Sequence, residues 1–199
     1  YDKKGKEHYN IINTIHKIVR IREVQAIIYW LARMLEAGED PLYVARRLVR
    51  MASEDIGMAD SRALEIAVSA YQAAHYLGMP ECNVHLTHAV VYLALAPKSN
   101  ALEVAYNKAK EDALKTLDLP VPLHIRNAST KLMKDLGYNQ GYEYSHDYPY
   151  HMTDMKCLPD ELLNKEYYIP GNQGSEVKVQ KRLEQIKAIK AQVARSRRK

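Results

Sequence analysis

The sequence predicts an all-α helical bundle, and two observations carry that expectation. Apolar residues recur at intervals of three and four along most of the chain, the spacing of one face of a helix. The stretches with this spacing are separated by glycine, proline and aspartate, placed where helix caps need them. The clearest instance is residues 29–60, YWLARMLEAGEDPLYVARRLVRMASEDIGMAD. Ile28, Leu31, Ala32 and Leu35 form one apolar face, and Gly38 ends the helix because it can take the left-handed cap conformation. Asp40 followed by Pro41 then opens a second helix, with proline at the first helical position where its missing N–H costs nothing. That helix carries Leu42, Ala45, Leu48, Val49, Ala52 and Ile56 on its apolar side and Arg46, Arg47 and Arg50 on another, up to Gly57. The two helices make an αα-hairpin.

The other elements follow in order. Residues 7–19 place Tyr9, Ile12, Ile15, His16 and Val19 at helical spacing, after an approach loosened by Gly5. No glycine, proline or asparagine lies between Arg20 and Gln25, so this helix runs on toward the hairpin or meets it through a poorly marked bend. Asp60 or Ser61 caps a fourth helix with Leu64, Ala67, Val68, Tyr71, Ala74 and Leu77 in one stripe, closed by Gly78. Pro80 is expected to open a fifth, ended by Pro97, in which Val84, Leu86, His88, Val91, Leu93 and Leu95 leave almost no polar face. A helix of that kind is buried on several sides. Ser99 or Asn100 caps ALEVAYNKAKEDALKTL, an amphipathic sixth helix with charges of both signs. From Leu119 two prolines, one short helix in STKLMKDLG and a run with Tyr138, Tyr142, Tyr144, Tyr148, Tyr150, Tyr167 and Tyr168 predict an irregular arm. It is too aromatic for a disordered linker and is expected to lie on the helical body. Val179, Leu183, Ile186 and Ile189 mark a final amphipathic helix. The expected segments are thus a helical core, 1–118, an irregular tyrosine-rich arm, 119–174, and a basic C-terminal helix, 175–199.

Composition narrows the class. A chain of 199 residues with 47% hydrophobic and 27% charged residues is long enough for a sizeable core, and no apolar run approaches the ~18 residues a membrane span needs. The N-terminus has no signal-peptide pattern, and two distant cysteines, Cys82 and Cys157, suit a reducing compartment. A cytoplasmic location is expected, nuclear or nucleoid-associated according to the source. Of the net charge of +5, the segment from Gly174 to Lys199 carries +7 and the rest about −2.

For chemistry, neither GxxxxGK[ST] nor GxGxxG occurs, so no nucleotide site is expected in this chain. His85 and His88 stand three apart, but no third metal ligand follows at a recognisable spacing. Ser53, Glu54 and Asp55 beside Arg47 and Arg50 read as a structural ion-pair network rather than acid–base machinery. Neither a catalytic nor a metal site is assigned. Arg33, Arg46, Arg47 and Arg50 read first as partners of Glu36, Glu39, Asp40, Glu54 and Asp55 within the fold or across an interface, with nucleic acid as the alternative. Tyr29, Trp30, Met34, Tyr43 and Met51 exceed what the inner stripe needs and join these arginines as candidate oligomer-interface residues. In the tail, Lys187, Lys190, Arg195, Arg197, Arg198 and Lys199 are either a solvated helix end or a contact for nucleic acid or an acidic partner; no aromatic residue is interleaved among them.

Several stretches, YDKKGKEHYN, the hairpin sequence, LGMPEC, APKSN, VPLHIRNAS and KLMKDLGY, resemble the C-terminal region of the RarA/MgsA family of AAA+ ATPases, which includes the eukaryotic Werner-helicase-interacting ATPase. The likeness runs in order from Tyr1 to about Ile169. It implies an all-helical module that follows the ATPase core and its lid, resembles the oligomerisation collar of clamp-loader subunits and holds the protein as a homotetramer. It also implies that ATP, magnesium and the Walker residues belong upstream, and that the whole ATPase acts on replication-fork DNA with single-strand-binding protein. A stand-alone DNA-binding module built on the arginine-rich hairpin and basic tail is the alternative. Two departures stand out: residues Ile21 to Gln25 replace the family's glycine-serine-aspartate turn, and the segment after Gly171 matches only some bacterial members.

Overall fold

The computed structural model describes residues 6–198, so Gly5 and Lys199 lie outside the described residues. Eight α-helices and no strand occur among them: α1 (Lys6–Ile21), α2 (Val24–Glu36), α3 (Pro41–Met51), α4 (Arg62–Leu77), α5 (Asn83–Leu95), α6 (Ala101–Lys115), α7 (Lys131–Asp135) and α8 (Glu176–Ser196). The chain forms two units. One runs through Tyr106 and regains Tyr168–Val179; the other holds Asn107–Tyr167 and the chain from Gln180 on. The division therefore cuts through α6 and α8, which the sequence reading kept whole.

In the first unit α5 is the hub, packed against α1, α2, α3 and α4. It buries Leu86, Ala89, Val90, Leu93 and Ala94 among Ile12, Ile15, Ile27, Leu31, Met34, Leu48, Met51 and Ile56. The helix ends obey local chemistry. Glu39 N–H donates to Met34 O and Gly38 N–H to Leu35 O, both at 3.0 Å, the paired bonds of a Schellman cap, with Gly38 at φ 88°. Asp40 accepts from Leu42 N–H at 2.9 Å and starts α3.

Of the two ways left open for α1 to meet α2, the structure has the bend: it is Arg22, a non-glycine residue at φ 66°, followed by Glu23, whose carboxylate caps α2 by accepting from Ala26 N–H. Three other expectations need correction. The helix after Pro41 does not stay α-helical to Gly57: it widens into a π turn over Ala52–Ile56. Pro80 does not open α5; residues 78–82 make a turn closed by Cys82 N–H to Gly78 O and Asn83 N–H to Pro80 O, and the helix starts at Asn83. On α4 the buried stripe is Ala63, Ala67, Ala70 and Ala74, whereas Leu64, Val68 and Leu77 face solvent. Small side chains let α4 lie close to both α3 and α5, so this face goes inward despite its lower hydrophobicity.

The first unit also holds the start of α8. Ser175 N–H donates to Ala59 O, and its hydroxyl lies within 2.7 and 2.9 Å of Met58 O and Ala59 O. Tyr168 O–H donates at 2.8 Å to Glu176, whose side chain is wholly buried. Burial and this bond to a carboxylate push the Tyr168 phenol well above its usual range. Gly174 supplies the turn, at φ 54°.

In the second unit the tyrosine-rich stretch has little regular structure beyond α7 and isolated 3₁₀ turns. Side chains tie it together. Tyr167 O–H donates to Asp112 at 2.8 Å, Lys165 pairs with the same carboxylate at 3.7 Å, and Arg126 stacks 4.9 Å over Tyr138.

Candidate functional site

Of the residues singled out on the hairpin, those of α2 form a stack. Tyr29 and Trp30 meet edge to face at 5.1 Å, and the Arg33 guanidinium lies 5.2 Å over the Trp30 ring and 6.0 Å over that of Tyr29. Tyr29 is half exposed, while Trp30 packs partly on the core. On α3, Arg46 is exposed, Tyr43 is half-buried against the core, and the buried Nε of half-buried Arg47 has no hydrogen-bond partner among the described residues. Met34 and Met51 are fully enclosed, so neither belongs to the surface: both fill the centre of the bundle.

At the π turn the sequence reading found the acids but missed their main partner. His16 Nε2 stands 2.7 Å from Asp55 Oδ2 and 3.6 Å from Glu54, and Arg20 Nε donates to Asp55 Oδ1 at 2.7 Å. Arg50 pairs with Glu54 at 3.2 Å and with Glu103 at 3.6 Å, so this arginine is held inside the first unit. Burial, the largest influence, would raise the Asp55 carboxyl, but hydrogen bonds from His16 and Arg20 and their charges outweigh it and leave it below the usual range. The signal was present, since His16 is a polar residue on an apolar helical stripe with Arg20 one turn on. Nearby, Lys98 closes the end of α5 by donating to the carbonyls of Leu93 at 2.7 Å, Ala94 at 3.1 Å and Ala96. Burial lowers its amine to about 8, Arg22 adding to the effect and Asp55 opposing it.

One side of α5 is left open. Val84, Thr87, His88, Val91, Tyr92 and Leu95 line a shallow depression of about 500 Å³, with Val84 69% and Leu95 64% exposed. His85 is exposed too, and among the described residues no three metal-ligating side chains converge. Tyr92 O–H donates at 2.6 Å to Asp60, which also accepts from Arg62 N–H at the start of α4.

The basic tail is not uniformly free. Lys187, Lys190, Arg195 and Arg198 face solvent, but Arg197 makes a two-pronged bond to Glu143, lies 3.3 Å from Asp154 and sits 6.0 Å from the Tyr148 ring centroid. That bond is the main reason the Glu143 carboxyl is held below its usual range.

Residues 22–187 match the family model described as MgsA AAA+ ATPase C terminal. The chain belongs to this family. It is 45% identical over 193 residues to replication-associated recombination protein A of Coxiella burnetii, covering 96% of this chain and 44% of the relative. The same-named protein of Escherichia coli K12 is 44% identical over 184 residues, 92% of this chain and 41% of the relative, and ATPase WRNIP1 of Dictyostelium discoideum 47% identical over 170, or 84% and 19%. The chain thus spans less than half the length of these curated relatives. Within this MgsA-type C-terminal domain no helix among the described residues is long and apolar enough to cross a membrane. Lys190, Arg195, Arg197 and Arg198 lie beyond the matched segment.

Proposed function

We propose that this domain is the assembly module of a RarA/MgsA-type ATPase, joining copies of the chain as a homotetramer through apolar helical surface that one copy leaves uncovered. The open side of α5 carries the reading. A hub helix engaged by four neighbours still presents Val84, Val91 and Leu95 to solvent, and such a strip is stabilised by whatever apolar surface covers it. Further supports are Leu64, Val68 and Leu77 on α4 and the Tyr29–Trp30–Arg33 stack, of residue types enriched at interfaces. The number four comes from the family, and closed symmetry makes a dimer of dimers an ordinary outcome. In the full protein, ATP and magnesium would belong to the upstream AAA+ domain, since this chain has no phosphate-cradling loop. Fork DNA and single-strand-binding protein would be partners of that whole assembly.

Light scattering over a hundredfold dilution tests this. A mass four times the 22.8 kDa of the chain is expected, with Val84→Glu/Leu95→Glu reducing it while the helical signal is retained. Tyr43→Glu asks the same of the hairpin. A monomer at every micromolar concentration refutes the assembly reading.

A further inference from the structure

Close in sequence, His146 and His151 meet in the arm with their ring centroids 5.0 Å apart and their planes inclined at 57°. The backbone is bent to bring this about. Ser145–Asp147 and Pro149–His151 form two successive 3₁₀ turns, and the second runs through Tyr150 and His151, neighbouring non-glycine residues at φ 58° and 53°. L side chains resist that left-handed conformation, and outliers of this kind gather at functional sites. Both imidazoles are exposed, and neither takes part in a hydrogen bond or ion pair among the described residues. Tyr144 flanks the pair, its ring 5.2 Å from that of His146.

The spacing is that of two ligands on one ion. A metal–nitrogen bond of about 2.05 Å puts the metal about 3.2 Å from each ring centre, so two imidazoles on one ion have centres about 4.5 Å apart at a right angle and about 5.2 Å apart at the tetrahedral angle. The observed 5.0 Å lies between these. Only the ring nitrogens have to be turned toward one point, and the terminal torsion of histidine is soft. The other histidine pair singled out in the sequence, His85 and His88, has no ring contact of this kind among the described residues.

We infer that His146 and His151 form a binding site for one borderline divalent transition-metal ion of the Zn2+ or Ni2+ kind. Imidazole nitrogen favours such ions, whereas Mg2+ and Ca2+ need oxygen ligands. Two acids of the same stretch, Glu143 and Asp154, are engaged by Arg197 and so assemble no oxygen set. With no third metal-ligating side chain converging among the described residues, water fills the remaining positions and the site is open to exchange. The ion joins the two 3₁₀ turns through their side chains, across a stretch otherwise held by single backbone bonds such as His151 N–H to Tyr148 O at 2.9 Å. The site is independent of the assembly reading, because none of its residues lies on α4, α5 or the hairpin.

Calorimetric titration of the untagged full chain with Zn2+, Ni2+ and Mg2+ tests it, with circular dichroism run on each variant. One Zn2+ or Ni2+ per chain is expected, saturating at micromolar metal, with no saturable heat from Mg2+. His146→Asn and His151→Asn should each weaken binding at least about tenfold, since losing even a group that only supports a ligand costs that much. Asparagine tolerates the left-handed backbone at position 151, so the turn itself is retained. His85→Asn/His88→Asn and Cys157→Ser, which remove the other histidine pair and the exposed thiol, should bind as the parent does. Hydrogen exchange gives a local readout: Zn2+ should slow amide exchange across residues 145–152 and leave α1 to α5 unchanged. The inference is overturned if either arm variant binds as the parent does, if the His85/His88 or Cys157 variant loses binding instead, or if Mg2+ gives the same heat. Saturation only at millimolar metal, the mark of scattered surface histidines, or protection confined to other parts of the chain would also overturn it.

Discussion

Asp55→Ala is expected to destabilise the domain by about 3 kcal/mol, because it removes the acceptor shared by His16 and Arg20 and leaves a nearly buried imidazole facing a gap. Half of the Arg20 side chain is exposed, so water recovers part of its loss and the figure sits at the low end for a broken buried pair. Urea unfolding at neutral pH should show the midpoint fall at an unchanged m-value. The pH dependence has a definite sign. Because the folded Asp55 carboxyl lies below its unfolded value of ~3.9, its contribution is fully present above that value and is lost as pH falls through the lower folded one. The parent should therefore lose stability below about pH 4 more steeply than Asp55→Asn. Parallel acid profiles for the two would show that the His16–Arg20 contacts do not hold the carboxyl down.

Gly174→Ala should be comparably severe. A Cβ at this position would lie 2.3 Å from Ala59 O and 2.5 Å from Pro97 Cγ, and neither a backbone carbonyl nor a proline ring swings aside. The backbone conformation, at φ 54°, adds about 1 kcal/mol against any residue with a side chain. The expected relief is displacement of the turn, which breaks the Ser175 contacts to Met58 and Ala59 and opens buried Glu176 to water. A loss of about 2–4 kcal/mol should accompany it, with faster proteolytic cleavage around residues 170–178 while α1 to α5 stay protected. An unchanged melting temperature together with an unchanged cleavage pattern would mean that the close approach at Gly174 is not maintained in solution.

Helix existence was legible in the sequence because punctuation is local chemistry. Gly38, the Asp40–Pro41 pair, Gly78 and Pro97 act on their own neighbours, and all four mark real ends. Where a boundary rests on an uncommon solution, the signal vanishes: Arg22 takes a conformation typical of glycine, and Glu23 caps in place of the usual short side chains. The α4 stripe was misread because hydrophobicity ranks leucine above alanine, whereas close helix approach ranks them the other way. For the site residues the limit is sequence distance. The Tyr29–Trp30–Arg33 stack lies within one helical turn and could be anticipated, but His16 with Asp55 and Glu143 with Arg197 are 39 and 54 positions apart. Nothing in either local stretch names the other.

The alanine face of α4 also gives the domain a lopsided mutational landscape. Elsewhere in the core, at Ile27, Leu48 or Leu86, substitution usually removes volume, and the damage is a cavity whose cost grows with its size. At Ala63, Ala67, Ala70 and Ala74 only glycine is smaller; every other replacement adds atoms between helices that already touch. Those changes act by pushing α4 off α3 and α5 as a body, so one added methylene is felt along the whole helix. Two kinds of fragility therefore coexist in one core, and they differ in their remedy. A cavity can be refilled from any side by a larger neighbour, but a helix forced outward returns only when the intruding atoms are removed.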